Sequence, residues 1–228
     1  MTGVQTCALP ISSRPGQTAT KEQVAEDLWP DLDAEQSANS FHQTVYFLRR
    51  EITPEVDASR GFAEVIPVEG EIVYLDPELV HIDSVAFVRQ ARALASKPGA
   101  SATAMNLLAS YRGTFAPEFV YEDWASTWRL HSHRVFLELT EVTSDMTSAE
   151  GRPADSVAIL THALGVDPDA IDLLPRLVRG LAATGAQASA RSAFALYAER
   201  YRMDFDLEPP RFEEVLDATE HRPRRLSR

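Results

Sequence analysis

Between Thr20 and Ile52 the apolar positions form two helical stripes separated by a four-residue break. Val24, Ala25 and Leu28 make one narrow stripe with Trp29 beside it, and Thr20 with Gln23 three residues on has the form of a capping box. That pattern predicts a helix over residues 21–29. Pro30 cannot continue it, so the chain turns at Pro30-Asp31-Leu32-Asp33. Asp33 then caps a second helix, with Gln36 as its box partner. In this second helix Ala38, Phe41, Val45, Leu48 and Ile52 recur at three- and four-residue steps and predict the buried face. Steps of roughly 100° per residue place Gln36, Asn39, Ser40, Gln43, Tyr46, Phe47 and Arg50 on the opposite side, with Arg49 at the border.

Downstream the period changes twice. Residues 62–68 alternate apolar and polar, Glu69-Gly70-Glu71 turns, and Ile72-Val73-Tyr74-Leu75 returns, which predicts a short hairpin. From Asp83 the pattern is helical. Val85, Phe87, Val88, Ala91 and Leu94 share one helix that stops before Lys97-Pro98-Gly99, and a second runs over residues 101–112 to Gly113. Residues 121–149 form a long helix with Trp124, Trp128, Val135, Leu139 and Val142 on its apolar side, ended by Gly151-Arg152-Pro153. A 34-residue offset then relates Gly151 to Gly185, Leu160 to Phe194 and Ala163 to Tyr197. Leu174, Leu177, Leu181, Ala190 and Phe194 follow tetratricopeptide spacing with leucines in place of aromatics, and Pro168 stands at the position of that repeat's terminating proline. Arg202 replaces the proline in the next copy. The expected architecture is mostly α: a partial winged helix, meaning a helix-turn-helix with a C-terminal hairpin, followed by a tetratricopeptide-like helical repeat domain. Stacked helical hairpins of this kind present a concave face to proteins or peptides.

The polar face of the second helix leaves two readings open. It is a solvated face, or its amides meet adenine edges while its arginines meet guanine or phosphate. The hairpin directly behind it gives the order of a winged helix. The Leu28-Trp29-Pro30-Asp31 turn, the Leu48-Arg49-Arg50 helix end and the Asp83 to Phe87 junction resemble the C-terminal part of the OmpR-type winged helix in the SARP family of antibiotic-cluster regulators. The rest of the chain, including Tyr121-Glu122-Asp123-Trp124 and the stretch ending at Pro168, resembles that family's bacterial transcriptional activator domain. Together the resemblances cover about residues 18–216, and they weaken at residues 171–175 and 203–210. They imply a transcriptional activator that docks its second helix in the major groove of double-stranded DNA at promoter repeats, through Gln36, Asn39, Ser40, Gln43, Tyr46, Arg49 and Arg50. They also imply helical repeats that form a homodimer or contact RNA polymerase, with no cofactor, and the lack of cysteine from residue 12 onward fits the cytoplasm.

Residues 1–11 resemble a translated short-read sequencing adapter and are set apart from the fold. The expected division is then a truncated winged-helix domain at 12–80, an activator domain at 83–218 and a basic disordered tail at 219–228 carrying Arg222, Arg224, Arg225 and Arg228. An OmpR-type domain begins with four strands and a helix, none of which the pattern reveals. Leu28, Phe41 and Leu48 are therefore expected to lack partners, and residues 12–80 to be unstable.

Composition constrains the function. The chain of 228 residues is 44% hydrophobic, enough for packed cores, and no apolar run reaches the eighteen or so residues of a membrane span. Cys7 is the single cysteine, which excludes disulfides and cysteine-ligated zinc from residue 12 onward. The formal net charge is −12. Over residues 12–80, Arg14, Lys21, Arg49, Arg50 and Arg60 face fourteen Asp or Glu, a sparse footprint for phosphate binding. Binding to DNA is thus expected to be weak and strongly salt-sensitive. No phosphate-binding glycine loop occurs, and His131 and His133, two apart, point to different sides of a helix. Glu213, Glu214 and Asp217 fit a solvated helix face. No enzyme is expected. The second functional class is an interaction module of a larger signalling protein, in which the winged helix no longer binds DNA.

Overall fold

The computed structural model describes residues 8–52 and 66–218, which divide into two compact units. The first holds the described residues up to Ala86 together with Thr114–Ser132; the second holds Phe87–Gly113 and the described residues from His133.

The first unit begins with a short helix, α1 (Ala8–Ser13), then strand β1 (Thr18–Thr20) and helix α2 (Lys21–Leu28). The capping box forms as the sequence predicts. The Gln23 amide donates to Thr20 Oγ1 at 3.1 Å, and the Thr20 amide donates to Gln23 Oε1 at 3.0 Å. Trp29 closes α2, its N–H reaching the Ala25 carbonyl at 2.8 Å. Helix α3 (Ala34–Ile52) then starts where Asp33 Oδ1 accepts from the Gln36 amide at 2.8 Å. Strands β2 (Val68–Glu69) and β3 (Ile72–Tyr74) form a hairpin, turning through Gly70 at φ +60°. The first half of the expected hairpin, Phe62 to Val65, lies outside the described residues.

β1 pairs antiparallel with β3, Thr18 opposite Tyr74 and Ala19 opposite Val73, giving the order β1-β3-β2. A strand ahead of α2 was not expected. Thr-Ala-Thr is too short to show a period of two, and only the pairing with β3 defines it. The sheet, α2 and α3 enclose a core of Ile11, Ala19, Val24, Phe41, Val45, Leu48, Ile66, Val73 and Leu75, with Leu28 and Trp29 packed at its edge. Phe41 and Leu48 are therefore not left without partners, which corrects the expectation for those two residues and for Leu28. Burying a side chain of this size contributes roughly 1.5–3 kcal/mol. Ile11, set apart from the fold on sequence grounds, is 1% exposed in this core. Ala38, expected on the buried face, is exposed: it lies one turn ahead of Phe41 and lines an open groove between α2 and α3.

In the same unit Arg129 holds the segment before it. Its guanidinium donates to the carbonyls of Phe115, Ala116, Phe119 and Val120 at 2.7–3.2 Å. Trp128 Nε1 donates to Ser84 Oγ at 3.0 Å.

The first three helices of the second unit lie close to their expected bounds, and four more follow among the described residues. These are α4 (Asp83–Ala95), α5 (Ser101–Ser110), α6 (Asp123–Ala149), α7 (Pro153–Val166), α8 (Leu174–Ala183), α9 (Gln187–Phe205) and α10 (Phe212–Asp217), the first and third shared with the other unit. Helices α7 and α9 open 34 residues apart, each two residues after a glycine in the left-handed region, Gly151 at +73° and Gly185 at +81°. That is the repeat the sequence shows. Leu174, Val178, Ala190, Tyr197, Phe212 and Val215 form the buried centre, flanked by Leu177, Leu181 and Phe194. The buried side of α6 is unexpectedly rich in hydroxyls. Thr140, Thr143 and Thr147 donate back to carbonyls one turn earlier, so burial leaves none of the three unpaired. Gly180 lets α8 approach α7: a Cβ there would stand 3.0 Å from Val157 Cγ2.

Candidate nucleic-acid interface

Ala38 apart, α3 divides as its periodicity predicts. Phe41, Val45 and Leu48 face the core, and Gln36, Asn39, Gln43, Tyr46, Phe47 and Arg50 are exposed. Ser40 is half-buried at the margin. The exposed side of the helix therefore offers three amides, a phenol, a phenyl ring and a guanidinium.

Arg49 is placed differently. Its Nε and Nη2 donate to the Ile66 carbonyl at 3.1 and 2.5 Å, and burial draws its pKa below the ordinary arginine value. The side chain ties the C-terminal end of α3 to the segment entering β2. Spacing located Arg49 at the border of the face but could not reveal this acceptor, which arises from non-local folding.

Two further cations among the described residues of this unit are also engaged. Arg14 pairs with Asp27 at 2.6 Å and Lys21 with Glu71 at 3.5 Å. The groove of about 530 Å³ between α2 and α3 is lined mostly by uncharged residues such as Trp29 and Leu32, and its charged groups are Glu22, Glu26, Glu71 and Lys21. Arg50 stands exposed at the end of α3 where the amide row leads.

A separate polar cluster lies in the second unit. His133 Nε2 and Asp167 Oδ2 are 2.8 Å apart, and His133 Nδ1 is 3.2 Å from the Tyr111 hydroxyl. With the carboxylate accepting, Nε2 carries a proton, and in the neutral ring Nδ1 accepts from Tyr111. The Tyr111 ring stacks on Phe136 with centroids 4.1 Å apart. Burial, with Asp167 adding to it, pushes the Tyr111 hydroxyl up to about 12. His131 turns instead toward the Trp128 ring, 5.4 Å between centroids. Among the described residues no group of three or more His, Cys, Asp or Glu is placed to hold a metal ion. No helix among them is long and apolar enough to cross a membrane.

The sequence profile of the bacterial transcriptional activator domain matches residues 82–217. The solved structure of Mycobacterium tuberculosis EmbR in complex with a low-affinity phosphopeptide superposes with a TM-score of 0.71 at 15% identity. That likeness covers 98% of this chain and 61% of the EmbR chain, so the present sequence spans under two thirds of that protein's length. No curated relative matches by sequence.

Proposed function

Because the chain belongs to the bacterial transcriptional activator domain family, we propose that it is a DNA-binding transcriptional regulator whose α3 enters the major groove. The observation that carries this is the exposed row Gln36, Asn39, Gln43 and Arg50, on a helix whose opposite face is locked into a core with a three-stranded sheet. A helix fixed on one side with amide and guanidinium groups on the other has the chemistry that reads base edges. Ser40 and Tyr46 flank the row and suit contacts with the sugar-phosphate backbone. The helical second unit then serves dimerisation on promoter repeats or contact with RNA polymerase, in the cytoplasm and without a cofactor.

The acidic balance favours a second reading, in which the helical unit binds a protein partner and α3 binds nothing. The net charge of −12 and the internal pairing of Arg14 and Lys21 leave little cationic surface among the described residues of the first unit. EmbR was solved with a phosphopeptide, which makes a peptide the natural partner class under this reading.

Fluorescence anisotropy on a duplex enriched from a randomised library separates the two. Under the regulator reading Asn39→Ala, Gln43→Ala and Arg50→Ala each cost about 1–3 kcal/mol on that duplex. Equal, weak binding of enriched and scrambled duplexes by the parent and all three variants would support the interaction module.

A further inference from the structure

Two aromatic rings stand among the amides of α3. Tyr46 is 58% and Phe47 47% exposed, and their rings meet edge to face with centroids 5.5 Å apart. A single exposed apolar side chain needs no explanation. Phe47, however, is four residues from Gln43 and eight from Asn39, so the three lie in one row along the exposed face. Successive members rise about 6 Å along the helix axis, close to two base-pair steps of about 3.4 Å each.

The chemistries in this row agree with one another. Asn and Gln amides pair in bidentate fashion with adenine N6 and N7, and a phenyl ring packs on the thymine C5 methyl. Both targets are displayed in the major groove by A·T pairs. Arg50, the group suited to guanine, stands at the end of the row. The rings of Tyr46 and Phe47 are adjacent, so the phenyl group has an aromatic neighbour on the same exposed side of the helix.

We infer that α3 reads a site rich in A·T pairs, with Phe47 seated on a thymine methyl and Asn39 and Gln43 on adenine edges. This rests on the DNA-binding reading above and adds the base composition and the methyl contact to it.

The test uses the 228-residue chain and its enriched duplex, with each thymine replaced in turn by deoxyuridine. That change deletes the C5 methyl and leaves base pairing intact. At one thymine the parent is expected to bind about fourfold more weakly, the effect of removing one methyl-sized apolar contact. Phe47→Ala loses about the same factor on the thymine duplex and no longer distinguishes thymine from deoxyuridine there. Phe47→Leu, which keeps apolar bulk, retains most of the discrimination and guards against misfolding of the alanine variant.

Sequence-selective binding with thymine and deoxyuridine equal at every position overturns the inference and leaves the regulator reading standing. So does an enriched site made of G·C pairs, or a Phe47→Ala variant that still discriminates. Absence of any sequence preference overturns both.

Discussion

The Arg49 guanidinium gives two N–H groups to the Ile66 carbonyl, while its neighbour Arg50 points to solvent. The two therefore respond differently to mutation. Arg49→Ala leaves that carbonyl without its charged donor and should destabilise the first unit by about 1–3 kcal/mol in urea titration. Arg49→Lys, which lacks the planar fork, should recover only part of this. Neither change should alter the salt dependence of DNA binding if Arg49 is purely internal. Arg50→Ala should leave stability within about 0.5 kcal/mol. If Arg50 touches phosphate, it should flatten the salt slope by about 1. In the second unit Tyr111 makes a pH prediction. Its hydroxyl ionises near 12 when folded against the ordinary tyrosine value of 10.0, so the folded state holds the proton more tightly. The resulting stabilisation is complete below pH 10 and is lost as pH rises through about 12. Tyr111→Phe should abolish this alkaline loss in denaturant midpoints taken across the window. Spacing alone displayed the exposed face of α3. The Ile66 acceptor and the Tyr111–His133–Asp167 chain were not legible, because each joins residues brought together only by folding.

Caps and glycines carry the testable claims at the scale of elements. Thr20→Ala removes an acceptor that the start of α2 uses, and should cost about 1 kcal/mol in a urea melt. Gly180 is a contact glycine in α8. Gly180→Ala trades a gain in helix propensity against a 3.0 Å approach to Val157 and should be near neutral, whereas Gly180→Leu should cost about 1–3 kcal/mol by overpacking. Helices were the legible elements, since residues 83–217 repeat apolar positions over many turns and glycines mark their ends. β1 was not, because three residues carry no period. The hydroxyl-lined buried side of α6 also escaped the pattern, as Thr140, Thr143 and Thr147 look polar until their back-bonding to the helix is seen.

For the whole molecule, the profile match to residues 82–217 and the EmbR-like fold put a helical activator domain in the chain; the 34-residue offset had suggested helical repeats, and the family resemblance the activator domain. By contacts, Thr114–Ser132 groups with the unit that holds α3, although the profile match runs through it over residues 82–217. The segment carries its own mark in the sequence, the aromatic cluster Phe115, Phe119, Tyr121, Trp124 and Trp128, but nothing in that cluster tells which unit it joins. A net charge of −12 opposes non-specific attraction to a polyanion, so any duplex binding must come from directed contacts on α3. The most direct measurement is therefore selection by the 228-residue chain against a randomised duplex library at about 50 mM salt and again at about 200 mM. A regulator that reads bases through α3 predicts convergence on one sequence at the lower salt, lost when Asn39 and Gln43 are both alanine. Recovery of all sequences alike, unchanged by those substitutions, would contradict it.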